Sequence, residues 1–298
     1  MRSEDEMIAQ ILDVANKNEK VRAVLLTGSR ANPLAAKDIL QDFDVIYIVE
    51  QIASFKNDKR WIDIFGDRII LQLPDEMTVG KKDDHAFHYL MLFKDHTRID
   101  LTLFPLEKFD TEFTREGFAT VLLDKDDLFK RPGATKYIDF AVARPTEKEF
   151  LDCCNEFWWV SPYVAKGLYR DEITYAKHMM EIPLRNMFLK IIEWHIGSVT
   201  GFTASPGIGG RHLRRYVAPG LYDKILATYP NGDSDNIWAS LFLMTNVFDD
   251  LARKIAASMK FQYNVEESKN VTEYLSWIHN LTTQKEKAGR SDRGQLES

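Results

Sequence analysis

The sequence lacks several features that define whole classes of protein. Among its 298 residues there are two cysteines, Cys153 and Cys154, and they are adjacent. Neighbouring cysteines close a disulfide only through a strained ring, so no disulfide framework is expected, and a structural zinc site built on cysteine is excluded with it. No apolar run approaches the roughly 18 residues of a membrane span, and the opening MRSEDEMIAQ carries acids where a secretory signal would place its apolar core. A cytoplasmic protein with no membrane partner is the expectation. Positive charge is also short: Lys+Arg 39 against Asp+Glu 45 gives a net charge of -6. Without a basic field to release counterions from phosphates, a long nucleic acid is disfavoured as a partner, whereas a cationic small molecule is mildly attracted.

What is present divides near residues 135–145. Before that point short β-branched and aromatic runs alternate with turn residues. Ser3 and Glu6 have capping-box spacing ahead of apolar residues at helical intervals, which predicts a helix over 4–18. Strands are predicted at 21–27, 43–50, 68–73, 87–93, 98–104 and 119–123, with the fourth and fifth forming a hairpin about Lys94–Thr97. Trp61 to Phe65 is read as a short helix. From Pro145 the texture becomes helical: Thr146 and Glu149 repeat the capping-box spacing, and helices are predicted at 146–168, 171–198, 211–217, 219–229, 235–260 and 270–283. The fold class expected is α+β, a mixed-sheet domain with flanking helices over 1–140 and a helical bundle over 141–283. The polar stretch 284–298 is expected to be disordered.

One ordered constellation carries chemistry. Gly28-Ser29 ends the first strand, and Asp42-Phe43-Asp44 opens the next. Residues two apart on a strand face the same side, so both carboxylates address one site. Asp100 interrupts the apolar strand RIDLTLF, sharing a face with Arg98 and Thr102. Should that strand lie beside the Asp42/Asp44 strand, three carboxylates converge, and like charges so placed call for cations between them. An oxygen triad with a Gly-Ser turn suits magnesium and a nucleoside triphosphate, and the chemistry is nucleotidyl transfer. Either element alone is ordinary: Asp-x-Asp at a strand start often faces water, and Gly-Ser is common turn chemistry. The order and spacing together raise the catalytic reading above that background.

The stretches LLTGSRANPLAAKDILQDFDVIYIV, DKRWIDIFGDRII, RIDLTLFP, LLDKDD and EFLDCCNEFWWVSPYVAKGLYRDEI closely resemble the aminoglycoside 6-adenylyltransferases, the bacterial streptomycin adenylyltransferases within the nucleotidyltransferase superfamily, and the likeness extends over about residues 1–280. The resemblance implies transfer of AMP from ATP, with two Mg2+ ions, to the 6-hydroxyl of streptomycin. It implies that Gly28, Ser29 and Arg30 meet the nucleotide phosphates and that Asp42, Asp44 and Asp100 hold the metals. Asp100 has two possible duties, metal ligand or proton acceptor for the sugar hydroxyl.

In the helical half, Lys166 and Arg170 stand one helical turn apart, where both cations can meet the leaving pyrophosphate; for a single lysine a solvated face is about as common, and the resemblance favours Lys166. Glu156, Trp158 and Trp159 are read as an acidic and aromatic wall for the guanidinium groups of the drug. Adjacent helix residues are rotated by about 100°, so one tryptophan of the pair must turn into the core or the rim. His195, Cys153 and Cys154 are read as packing residues. The competing functions are nucleotidyl transfer to another small molecule, a protein or an RNA end, and a non-catalytic nucleotide-binding or toxin–antitoxin partner.

Overall fold

The computed structural model describes residues 1–33, 35–80, 85–116, 118–130, 136–138 and 141–296. The chain divides into two compact units, Met1–Asp139 and Phe140–Ser298. Among the described residues no helix is long and apolar enough to cross a membrane.

The first unit contains α1 (Glu4–Lys17), β1 (Val21–Thr27), the single-turn α2 (Gly28–Ala31), β2 (Phe43–Val49), α3 (Ile52–Asn57), β3 (Arg68–Gln72), β4 (Phe87–Phe93), β5 (Arg98–Pro105), α4 (Phe109–Glu112), β6 (Thr114–Glu116), β7 (Thr120–Asp124) and β8 (Lys136–Ile138). Six strands form one sheet in the order β3-β4-β5-β2-β1-β7, while β6 and β8 pair separately. The sheet is mixed: β2 runs parallel to β5, and the other neighbours are antiparallel. The predicted strands fall within two residues of the observed ones; Phe87–Phe93 alternates cleanly, every second residue being buried, whereas Val21–Thr27 is buried at four successive positions, as a strand covered on both faces is. The predicted helix at Trp61 is a 3-10 segment, Lys59–Phe65.

Two apolar layers sandwich the sheet. On one face Met7, Ile11 and Val14 of α1 and Ile62 and Phe65 of the 3-10 segment pack against Val24, Val45, Tyr47, Tyr89 and Leu101. The buried tyrosines keep their hydroxyls satisfied, Tyr47 Oη donating to the Ile11 carbonyl (2.6 Å) and Tyr89 Oη to that of Phe55 (2.9 Å). On the other face Leu25, Ile48, Phe104, Phe109, Phe113 and Leu128 form a smaller layer. Asp44 and Asp100, out of phase with Val45 and Leu101, point to this second face.

Arg2 ties the N-terminus to the β4–β5 turn, its Nε donating to Asp95 Oδ2 (2.9 Å) and its Nη2 to Thr97 Oγ1 (2.7 Å). Burial raises the Asp95 carboxyl, but the hydrogen bonds from Arg2 and Thr97 outweigh it and hold the group well below the usual carboxylate range. A depressed carboxylate stabilises the fold above its unfolded value near pH 4 and loses that contribution as pH falls toward the folded value. Arg2→Ala is therefore expected to cost about 1 kcal/mol at pH 7 and a smaller but non-zero amount at pH 2, where the folded-state carboxylate is still partly ionised and the Arg2 bonds to Gln10 and Thr97 persist, measured as urea midpoints at the two pH values.

The second unit comprises α5 (Glu147–Tyr169), α6 (Ile173–Met179), α7 (Arg185–Thr200), α8 (Pro219–Ala227), α9 (Ser234–Met259) and α10 (Val265–Leu296). Thr146 and Glu149 form the capping box that opens α5. The single helix predicted over 171–198 is instead α6 and α7 joined by a π-turn, Met180–Leu184, around Pro183. Proline lacks the N–H and clashes with the carbonyl four residues back, and a widened turn absorbs both faults. The segment 211–217, predicted helical, holds only the 3-10 turn Leu213–Arg215. Helix α10 continues past residue 283, where the sequence predicts its end and a disordered tail; extension through Gln284 to Ala288 costs little once the helix is nucleated, and the helix then runs on through Gly289 and Gly294 to Leu296. The core of this unit centres on Phe157 stacked on Phe248, with ring centroids 3.7 Å apart. Cys153 and Cys154 lie in it, and burial pushes both thiols up, Cys153 to about 12, so neither is a nucleophile near neutral pH.

Candidate active site

The parallel pairing of β2 with β5 sets Asp44 directly opposite Asp100, and the antiparallel pairing of β1 with β2 sets Asp44 opposite Thr27. Asp42 lies one residue before β2, so the three carboxylates named from sequence come from adjoining strands at the centre of the sheet. Gly28 follows Thr27 with φ +67°, and a Cβ built on it would fall 1.9 Å from Asp44 Oδ2. Only glycine permits both that conformation and that approach. Ser29, next to it, is half-buried at the start of α2.

Arg98 occupies the carboxylate cluster. Its Nε and Nη2 donate side-on to the two oxygens of Asp100 (2.8 and 2.7 Å), and its Nη1 lies 3.5 Å from Asp42 Oδ2. Burial raises the Asp42 carboxyl against the opposing charge of Arg98. Asp44 is pushed up to about 6, first by burial and then by the charges of Asp100 and Asp42. Arg98 was legible only as a residue on the same strand face as Asp100; that it spans two of the acids follows from the pairing of β2 with β5.

Arg30 reaches across to the loop that precedes β2. Its Nε donates to the Asp42 carbonyl (3.1 Å), Nη2 to the Gln41 carbonyl (2.8 Å) and Nη1 to Glu4 Oε2 (3.0 Å), and the guanidinium lies 3.8 Å over the Phe43 ring. These donors pin the backbone that leads into Asp42.

Among the described residues no trio of acids, histidines or cysteines stands in an arrangement that would hold a metal. The donor set nevertheless fits a hard divalent cation: three carboxylates on neighbouring strands supply oxygen ligands only, and Arg98, which holds Asp100 and lies beside Asp42, is the group that must yield to it.

On α5 the two tryptophans separate. Trp158 is 2% exposed, stands edge-on to Phe157 and Phe248, and donates from Nε1 to Tyr263 Oη (3.2 Å). It is a core residue, which corrects its assignment to the substrate wall. Trp159, rotated by one helix position, is 66% exposed. Glu156 is exposed close by in sequence, and Lys166, on the turn beyond Tyr163, lies 5.9 Å from the Tyr163 and Tyr274 ring centres. Arg170 is exposed at the C-cap of α5. His195 is half-buried and burial lowers it below the usual histidine value; its Nδ1 has no hydrogen-bond partner among the described residues.

The description of the streptomycin adenylyltransferase family matches residues 1–278. The chain is 38% identical over 269 residues to the aminoglycoside 6-adenylyltransferase of Campylobacter jejuni, covering 90% of this chain and 93% of that one. It is 36% identical over 282 residues to the enzyme of the same name from Bacillus subtilis (strain 168), covering 94% and 99%. The crystal structure of an aminoglycoside 6-adenyltransferase from Bacillus subtilis is 32% identical, with 94% and 99% coverage and a TM-score of 0.47. The protein is thus an enzyme of the nucleotidyltransferase class. Within that class the chain belongs to the streptomycin adenylyltransferase family.

Proposed function

We propose that the protein transfers AMP from ATP to a hydroxyl of an aminoglycoside, the 6-hydroxyl of streptomycin, and so inactivates the drug. The observation that carries this reading is the register of Asp44 opposite Asp100, directly beneath the approach of Gly28. The acceptor oxygen attacks the α-phosphorus, the bond from that phosphorus to the bridging oxygen breaks, and pyrophosphate leaves with the electron pair. The hydroxyl proton passes to Asp100 or to water. Asp42, Asp44 and Asp100 would hold Mg2+, two ions on this reading, which when bound supplies charge neutralisation at the phosphates and activation of the nucleophile. Gly28 and Ser29 offer backbone and hydroxyl donors to phosphate oxygens. Arg30 acts through the backbone it pins, fixing the direction from which Asp42 reaches the site.

On the same reading the Met1–Asp139 unit is the catalytic domain and the helical unit supplies further substrate contacts. Lys166 and Arg170 meet the pyrophosphate, and Glu156 and Trp159 receive the guanidinium groups of streptomycin. Incubation of purified protein with ATP, Mg2+ and a panel of aminoglycosides, with pyrophosphate release and the mass of the drug as readouts, tests this directly. Addition of one AMP to streptomycin is expected. Modification only of aminoglycosides lacking guanidinium groups would overturn the substrate assignment, and no transfer to any of them would overturn the reading.

Trp159→Ala is expected to raise the KM for streptomycin about tenfold and that for ATP by less than about twofold, because the lost cation–π face concerns the acceptor alone. Trp158→Ala should instead destabilise the fold by about 3 kcal/mol with no selective effect on the drug. Steady-state kinetics beside denaturant unfolding separates the two.

A further inference from the structure

Two of the three carboxylates at the centre of the sheet share one positive group. Arg98 and Asp100 lie two positions apart on β5, facing the same side, and the guanidinium meets Asp100 side-on so that both of its carboxylate oxygens accept a hydrogen bond. The remaining edge of the guanidinium lies 3.5 Å from Asp42. Asp44, in register with Asp100, makes no side-chain hydrogen bond among the described residues. Arg30, the other cation of the neighbourhood, donates to the carbonyls of Gln41 and Asp42 and to Glu4. Arg98 is consequently the one cation that touches the carboxylate oxygens themselves, among the described residues.

A divalent cation held by Asp100 and Asp42 needs the oxygens that Arg98 engages, and both cations answer the same negative charge. We infer that Arg98 is a built-in counter-ion: in the metal-free protein it clamps Asp100 and Asp42, and it has to leave them before a divalent cation can bind, so that it sets the metal concentration at which the site loads. The inference rests on the proposed role of Asp42, Asp44 and Asp100 as metal ligands. The clamp has two effects of opposite sign. It stabilises the metal-free sheet by relieving repulsion between acids, and it weakens metal binding by the same interaction. Because the groups are partly open to solvent, the weakening is moderate.

Mn2+ serves as the probe, its free ion being countable by electron paramagnetic resonance in the absence of ATP and aminoglycoside. Titrations are made on the full-length protein, on Arg98→Gln and Arg98→Lys, and on each combined with Asp44→Asn, with thermal melting of every variant with and without Mn2+. Arg98→Gln is expected to bind Mn2+ about five- to tenfold more tightly than the unaltered protein, and Arg98→Lys to fall between them. Arg98→Gln should also melt lower than the unaltered protein without metal and gain more from Mn2+. Equal or weaker Mn2+ binding by Arg98→Gln, with binding still abolished by Asp44→Asn, would overturn the counter-ion role and leave the metal site standing. Binding insensitive to Asp44→Asn, or absent from every variant, would overturn the metal reading and the inference with it. Should Arg98→Gln fail to melt cooperatively, the comparison of Arg98→Lys with the unaltered protein decides on the same criteria.

Discussion

Replacing Asp44 with Asn is expected to lower turnover by at least about a thousandfold, through loss of the carboxylate that faces both Asp100 and the Gly28 turn. The substitution keeps the size of the side chain, so the β2–β5 pairing survives. It also removes a charge that burial and two neighbouring acids disfavour, and the metal-free protein should gain about 1 kcal/mol of stability after solvent screening is allowed for. Lost activity with unchanged or improved stability is the signature of a residue kept for chemistry. Asp42→Asn should behave alike in activity, with a smaller gain in stability because Arg98 lies beside it. Near-normal turnover in Asp44→Asn would end the assignment of these acids. The measurements are single-turnover AMP transfer and urea unfolding.

Gly28→Ala is expected to have the second largest effect, about a hundredfold on kcat. Its φ of +67° costs an alanine about 1 kcal/mol, and its new methyl would stand 1.9 Å from Asp44 Oδ2 and 2.6 Å from Cγ. Either the turn or the carboxylate must move. Gly201 provides the control: its φ is +66°, but a Cβ there meets nothing within 4 Å. Gly201→Ala should pay the same backbone strain in stability and leave turnover within about twofold. If the two alanine variants lose activity equally, the close approach of Gly28 to Asp44 is not what matters.

Much of this arrangement was legible in the sequence. Short β-branched and aromatic runs bounded by turn residues located β1 to β5 and β7 to within two residues, and Ser3/Glu6 and Thr146/Glu149 marked the starts of α1 and α5 as capping boxes, both observed. The face shared by Asp42, Asp44 and Asp100 could be stated only conditionally, since periodicity says which side a residue faces and nothing about which strand lies beside it. The same limit hid the reach of Arg98 to Asp42, which depends on β2 and β5 being neighbours. The phosphate role of Arg30 came only from the family resemblance; the carbonyls of Gln41 and Asp42 that take its donors belong to a loop whose course no local pattern records. Trp158 and Trp159 are identical in chemistry, and only packing against Phe248 separates the core member from the exposed one. Pro183 was visible, and the π-turn that accommodates it was not, because a single proline either ends a helix or is absorbed by one.

The parallel neighbourhood of β2 and β5 also sets an order of events during folding. The β4–β5 hairpin closes through a short turn at His96, a local step, whereas Asp44 meets Asp100 only after a long intervening segment has been gathered in. A nascent chain therefore has no carboxylate cluster until β5 has left the ribosome, and an unfolded chain regains its secondary structure before its chemistry. During refolding, far-ultraviolet ellipticity should recover ahead of enzymatic activity, and a destabilising change in the β2–β5 contact should widen that lag more than an equal change in the hairpin.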